Sequence, residues 1–394
     1  MTTATDAPAP VGPPSRVAVR QDHRGSWIPT RAMIAARFKE LRKRRGLMIT
    51  LMTVTVGIPA IYLGIRLLLH AVAPHSYGPA GGYDQYVGLV AGVLYIFGFI
   101  VAATLGATAG SVDLTEGMFR HHVITGRSRM ALYLARIPAG LAIIVSFVAI
   151  GFTIVCAVCV FAAPTSLDYN GVHVPVGLSP TDFEHFTADH AEEVVNNFPI
   201  EFSPSNRPVS PACLPGGPGP GSGNSGGVII RQPAGQATKP ICTPGQLRAL
   251  AVQIAKQDYS DYARIFLYPS DSLMIKTGLW IELEAFIGFM VGLGLSSLLG
   301  QRTVSVILLI VLELILTPIA ARARLPHLSN LQRAVVGIAT AHLEPGALPT
   351  PFAGGAADRA LFLRDSTTVA VCVIVAWIVA WTALGAWRMM TRDV

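Results

Sequence analysis

Apolar residues in this chain fall in long unbroken blocks. They do not alternate, and they do not recur at the spacing of a single helical face. Six blocks approach or exceed the roughly 20 helical residues needed to cross a hydrocarbon layer about 30 Å thick. They occupy 46–65, 85–112, 137–167, 279–300, 303–321 and 366–387. In lipid each segment has to satisfy its own backbone amides, so the pattern predicts α-helices. Continuous apolarity argues against a β-barrel, whose strands alternate. The expected fold class is all-α, a polytopic membrane protein with about six transmembrane helices. Only Gln301 and Arg302 separate the fourth and fifth blocks. A single helix over both would be about 65 Å long at ~1.5 Å per residue, far beyond one bilayer. A tight hairpin broken at Gly300 is expected instead.

The rest of the chain divides around these blocks. Residues 1–29 are rich in Ala, Pro and Thr, lack an apolar centre and read as a disordered tail without a cleavable signal. The 30–163 unit combines an interfacial helix with helices one to three. Within 30–45, Ile34, Phe38 and Leu41 stand at helical spacing among Arg and Lys, which predicts an amphipathic helix lying on the bilayer surface. Pro29 suits its first turn. Residues 164–276 form a large loop with two helix-like stretches, at 180–198 and 246–266, the second carrying Leu247, Leu250 and Ile254 on one face. Between them, 203–236 is dominated by Pro, Gly and Ser and reads as a flexible insertion. The 277–394 unit holds helices four to six and the C-terminus, with a short helix expected at 331–342.

Composition agrees: 52% of residues are hydrophobic and 13% charged, about half the charge of an average soluble domain. The net charge of +7 follows the helix ends. Arg37, Lys39, Arg42, Lys43, Arg44 and Arg45 precede the first block. Arg120, Arg127, Arg129 and Arg136 lie between the second and third, Arg302 after the fourth, and Arg388 and Arg392 after the sixth. With six crossings all of these share one side, and the positive-inside rule makes it cytoplasmic, with both termini there. Arg66, Arg322 and Arg324 fall opposite without reversing the bias. Topology therefore accounts for the charge, and no nucleic-acid partner is needed to explain it. Arg far outnumbers Lys, and Ala, Gly and Val abound, as expected of a GC-rich bacterium and its cytoplasmic membrane.

Candidate chemistry is sparse. Asp182, Glu184, His185, Asp189 and His190 crowd the large loop, yet the two histidines are five residues apart and do not share a helix face; an acidic solvated helix is the expected role. Cys156 and Cys159 lie inside a block and read as small packing residues, as does Cys372. No phosphate-binding Gly-x-x-x-x-Gly-Lys-Ser/Thr and no Gly-x-Ser-x-Gly elbow occurs, so neither an enzyme nor a cofactor site is expected. Cys213 and Cys242 lie on the oxidising side, either bridged or as free thiols on the loop. Glu282 and Glu284 sit near the start of the fourth block, where snorkelling or a helix start accounts for them. Glu313 is nearer mid-block. It reads either as a polar group in a translocation path or proton relay, or as a hydrogen-bonded contact between helices.

One segment carries a family-like pattern. Asp113 ends the second block. Glu116, Gly117, Met118 and Arg120 follow, then Ser128 and Arg129, then Tyr133 and Arg136 entering the third block. This resembles the membrane permease subunits of type-2 ABC transporters, the exporter type. Glu116, Gly117, Arg120, Ser128 and Arg129 match that family's run, while Met118 stands where Thr is more usual. The basic interfacial helix, six spans, the tight fourth–fifth hairpin and the outer helix before the sixth also fit. The 164–276 loop is longer than the family's. The resemblance implies a permease powered by ATP through a separate ATPase subunit, docked on those five residues and paired with a second permease copy or paralogue. Competing classes are an ion-gradient-driven secondary transporter using Glu313, and a membrane scaffold or assembly factor.

Overall fold

The computed structural model describes residues 27–73, 80–115, 128–163, 166–169, 172–196, 243–266, 269–322, 329–345 and 366–391. Six helices in it are long and apolar enough to cross a membrane: Arg45–Val72, Gln85–Val112, Arg129–Phe161, Asp271–Leu299, Arg302–Ala320 and Thr367–Thr391, here spans one to six. This is the architecture of a multi-pass membrane protein.

Every apolar block is a helix, with shifted ends. Span four starts at Asp271, not at Leu279, with the Ser270 hydroxyl accepting from the Leu273 amide at 3.4 Å. The capped helix runs on through Asp271, Ser272 and Lys276, which interrupt the apolar stretch, so hydropathy alone underestimates its length. Span three starts at Arg129 and stops at Phe161; its expected continuation to Leu167 is overturned, because Leu167 lies in a β-strand. The hairpin between spans four and five turns at Gly300. There φ is 73°, and the Gly300 amide donates to the Ser296 carbonyl at 2.8 Å, a left-handed helix end that favours glycine.

Span four is the hub. In its apolar window 72% of residues are buried, against 22% in spans one, five and six, which stand on the outside of the bundle. Spans two and four meet backbone to backbone. Gly288 and Gly292 press on the carbonyls of Phe99 and Ala103, and Gly106 and Gly110 press on those of Phe289 and Leu293. Both pairs are four residues apart, the small-xxx-small spacing that lets helices approach closely where lipid offers no hydrophobic drive. A Cβ on Gly292 would collide with the Ala103 backbone, which cannot step aside. Gly292→Leu is therefore expected to separate the two spans, at a cost of at least about 1–3 kcal/mol. The check is the monodisperse fraction and thermal midpoint in detergent. Gly64→Leu, at an exposed position where a Cβ meets nothing within 4 Å, is the control that should leave both unchanged.

The helix expected within 30–45 is present as α1, Arg31–Lys43, capped by Thr30 and ended by a break at Arg44 (φ −77°, ψ 73°). Pro29 thus precedes the cap and is not in the first turn. Leu41 is buried, and α1 packs on the start of span three. On the opposite side of the bundle a small extramembrane unit gathers. A two-stranded antiparallel hairpin, β1 (Ser166–Tyr169) and β2 (Val172–Pro175), was not anticipated by the all-α expectation. The acidic stretch forms two helices, α2 (Pro180–Asp189) and α3 (Ala191–Asn196), packed on α4 (Pro244–Phe266). Leu247, Leu250 and Ile254 bury the α4 face against Ala191 and Val195. Phe183 stacks on Tyr262 with centroids 4.2 Å apart. The Tyr262 hydroxyl donates to the Pro175 carbonyl at 2.6 Å, locking β2 to α4, and burial pushes this hydroxyl above its usual pKa. Three members of the acidic cluster have local partners. Glu184 pairs with Lys256 at 3.5 Å, Asp182 accepts from the Ser179 hydroxyl at 2.6 Å, and His190 Nδ1 bonds to the Phe186 carbonyl at 2.9 Å. Between spans five and six come two short helices, α5 (Ser329–Arg333) and α6 (Val336–His342).

Candidate functional site

Two places in the bundle concentrate polar side chains. The first is on the α1 side, where the chain leaves span two and returns to span three. Glu116, Gly117 and Arg120 lie outside the described residues; Ser128 and Arg129 are described and sit at the return. The Ser128 hydroxyl caps the incoming helix, accepting from the Ala131 amide at 3.5 Å. Arg129 reaches across to span six and donates from Nη1 to the Met390 carbonyl at 3.0 Å. Met390 is in the last turn of that helix, where carbonyls lack helical partners and a cation suits the dipole. About two turns further, Arg136 is 2% exposed and donates from Nη1 to the Gly110 carbonyl of span two at 3.1 Å. A buried guanidinium is tolerated because a backbone carbonyl meets it. Tyr133, fully buried, packs against Gly385 of span six, which in turn lies against Gly294 of span four. The segment flanking 116–127 is thus fastened to spans two, four and six.

The second place lies deep on the far side, around the segment that links spans five and six. Its helix α6 is not a surface helix. Val336, Gly337, Ile338, Ala339 and Thr340 of α6 are all buried, packed against spans two, four, five and six. Three side chains clamp it through its backbone or theirs. Trp280 of span four donates from Nε1 to the Thr340 carbonyl at 3.0 Å. Trp377 of span six donates from Nε1 to the Ala334 carbonyl at 2.7 Å. Gln332 of α5 donates from Nε2 to the Ala320 carbonyl of span five at 3.1 Å. Trp280 is itself stacked on Tyr95 of span two, with centroids 4.8 Å apart.

Carboxyls converge beneath this clamp. Glu284 is 2% exposed and Glu313 is 4% exposed. Glu284 has Glu313, Glu344 and Thr340 as electrostatic and hydrogen-bonding neighbours, and Glu313 has Thr317 and Tyr95. Thr317 donates its hydroxyl to Glu313 Oε2 at 3.5 Å, a long contact. One oxygen of each of Glu284 and Glu313 is out of solvent and meets no partner among the described residues. Two glutamates therefore share a buried site without an ion pair to a described cation. Hydrocarbon surroundings make that costly unless the carboxyls are neutral or hydrated. Both Tyr95 and Glu313 sit in π-helical turns, Val90–Tyr95 and Val311–Leu316. Such turns widen a helix locally and are frequent at functional sites.

The expectation for Glu284 is overturned. It is no snorkelling residue at a helix start: span four begins at Asp271, so Glu284 lies about 20 Å along the helix by its ~1.5 Å rise. Glu313 is inside the bundle, as its position suggested, with Tyr95, Glu284, Thr340 and Glu344 as company that the sequence reading missed. Glu344 carried the weakest signal, sitting beside Pro345 in what reads as a surface loop. No group of three or more His, Cys, Asp or Glu among the described residues is placed to hold a metal ion. The chemistry open to the site is hydrogen bonding and proton exchange. Cys159 is buried in span three and Cys156 partly so; Cys213 and Cys242 lie outside the described residues. Comparison with family models, curated proteins and solved structures finds no match to this chain.

Proposed function

We propose that this chain is the membrane permease subunit of an exporter-type ABC transporter in a bacterial cytoplasmic membrane. ATP is bound and hydrolysed by a separate ATPase subunit, which docks at 113–136, and a second permease copy or paralogue completes the pathway. The chain itself is no enzyme and holds no cofactor. The observation that supports this reading best is the anchoring of the helix that follows 116–127. Span three is tied near its start to span two through Arg136 and to span six through Arg129. A displacement imposed on that start would be passed to all three spans. Glu116 and Arg120, four residues apart, suit one face of a short helix as a mutually supporting pair, and Gly117 lets a partner backbone come close. The far-side carboxyl cluster around Glu313 then lies along the translocation path.

The test is purification of the chain, mildly solubilised, from its own membrane. A phosphate-loop ATPase should accompany it in near-equal amount, and reconstitution of the pair should give ATP hydrolysis. Absence of any such subunit would overturn the reading. A second reading has one specific observation in its favour. Glu284, Glu313 and Glu344 gathered in one buried site suit a secondary transporter whose coupling ion is a proton. It predicts gradient-driven proton flux in liposomes containing this chain alone.

A further inference from the structure

We propose that the groove between α1 and the start of span three binds an anionic phospholipid of the leaflet on which α1 lies. The groove holds about 350 Å³, within the roughly 300–1,000 Å³ of ligand clefts. On one wall stand Ile34 and Phe38; on the other, Pro138 and Ala142. The α1 wall is a single helical face, and span three offers only small or ring-closed side chains against it. That mismatch in size leaves the space. Pro138 and Ala142 are also exposed, so the groove opens toward lipid and not into the bundle.

Its ends are charged in a way its walls are not. Arg31 and Lys39 lie on the same face and line the groove, eight residues apart, about 12 Å along the helix at ~1.5 Å per residue. Both are exposed, and neither has a hydrogen bond or ion pair among the described residues. Arg37 provides the contrast. It is buried and held by Glu40 at 2.6 Å, which accounts for its charge internally. Two unpaired cations flanking an apolar slot match an acyl chain below and a phosphate above, since a long basic side chain can lay its stem on apolar surface and lift its head to the interface. A zwitterionic headgroup offers the same phosphate but brings its own cation, so two added positive charges favour a lipid of net negative charge. The proposal stands independently of any transport reading.

The experiment is native mass spectrometry of the full chain released from micelles doped with equal phosphatidylglycerol and phosphatidylcholine. The wild type should retain phosphatidylglycerol in preference. Each cation near a membrane surface contributes about fivefold in anionic-lipid affinity, so Arg31→Gln with Lys39→Gln should cut retention on the order of 30-fold. Arg42→Gln with Lys43→Gln removes the same charge from the same helix outside the groove and should change little. Ala142→Phe keeps all the cations but fills the slot, and should abolish retention. Equal loss in the two charge pairs, or full retention in Ala142→Phe, would overturn the proposal. So would cross-linking of Ala35→Cys between two copies of the chain, which would make the groove a subunit interface.

Discussion

Glu116→Ala, in a reconstituted complex with the proposed ATPase, is expected to leave membrane abundance unchanged and to lower partner-dependent ATP hydrolysis at least about tenfold. The two effects separate because insertion and docking use the charge differently. Orientation in the membrane responds to Lys and Arg, and a carboxylate weighs little in it. Docking responds to the carboxylate directly: truncating one partner of a close charge pair at an interface costs about 2–5 kcal/mol, much of it from the charge left behind. Exchange of charges distinguishes what Glu116 touches. If its partner is Arg120 within the loop, Glu116→Arg combined with Arg120→Glu restores hydrolysis. If its partner is on the ATPase, the swap fails as badly as the single change. Unchanged partner binding and turnover in Glu116→Ala would remove the coupling role, whatever else the protein transports.

The spans were legible because apolar continuity over about 20 residues has only one structural solution in lipid. Helix ends were less so. Asp271, Ser272 and Lys276 interrupt the apolar run ahead of Leu279, and nothing in hydropathy says that a helix capped by Ser270 runs through them. Leu167 failed for the opposite reason: an apolar residue next to an apolar block is counted with it, although Pro164 intervenes and the pairing partner Val174 is seven residues on. The hairpin at Gly300 was readable because the length limit forced a turn and a glycine stood at the only break.

The two polar places differ in legibility. Arg129 and Ser128 were picked from a local pattern, but the bonds that give them meaning run to Met390 and, through Arg136, to Gly110. Those partners are distant in sequence and are backbone atoms, which leave no mark in composition. Glu313 was visible as a charge inside an apolar run. Glu284 was misassigned because its depth depends on where the helix begins. Glu344 and Thr340 were invisible because α6 carries seven residues of small and mixed character, VGIATAH. Such a run looks like surface until the bundle closes over it. Its small residues are what let it enter: Gly337 has room for no more than a hydrogen beside Glu313.

That last contact yields the second large effect. A Cβ on Gly337 would stand 2.6 Å from Thr317 Cγ2, 2.8 Å from Glu313 Oε1 and 2.9 Å from Glu313 Oε2. All three atoms are out of solvent, Thr317 being 3% and Glu313 4% exposed, so the carboxyl or the Thr317 methyl must shift inside a packed site. Gly337→Ala is therefore expected to destabilise the protein by about 1–3 kcal/mol, the cost of overpacking a close-packed site. The strain falls on α6, held otherwise by the Trp280 bond to Thr340 and, just before it, the Trp377 bond to Ala334, so this segment should loosen first. A cysteine placed at Ala339, 3% exposed, should react slowly with a small maleimide in the parent. With Gly337→Ala it should react at least about tenfold faster, the rate that ~1.4 kcal/mol of eased local opening would give. Relief should come from trimming the partners. Thr317→Ser removes the offending methyl and keeps the hydroxyl; Glu313→Ala removes both carboxyl oxygens. Each, combined with Gly337→Ala, should cost less than the sum of the single changes, by the roughly 0.5–3 kcal/mol typical of residues in contact. Strict additivity in both cycles, with no gain in Ala339→Cys reactivity, would mean that α6 is not seated on the Glu313 carboxyl.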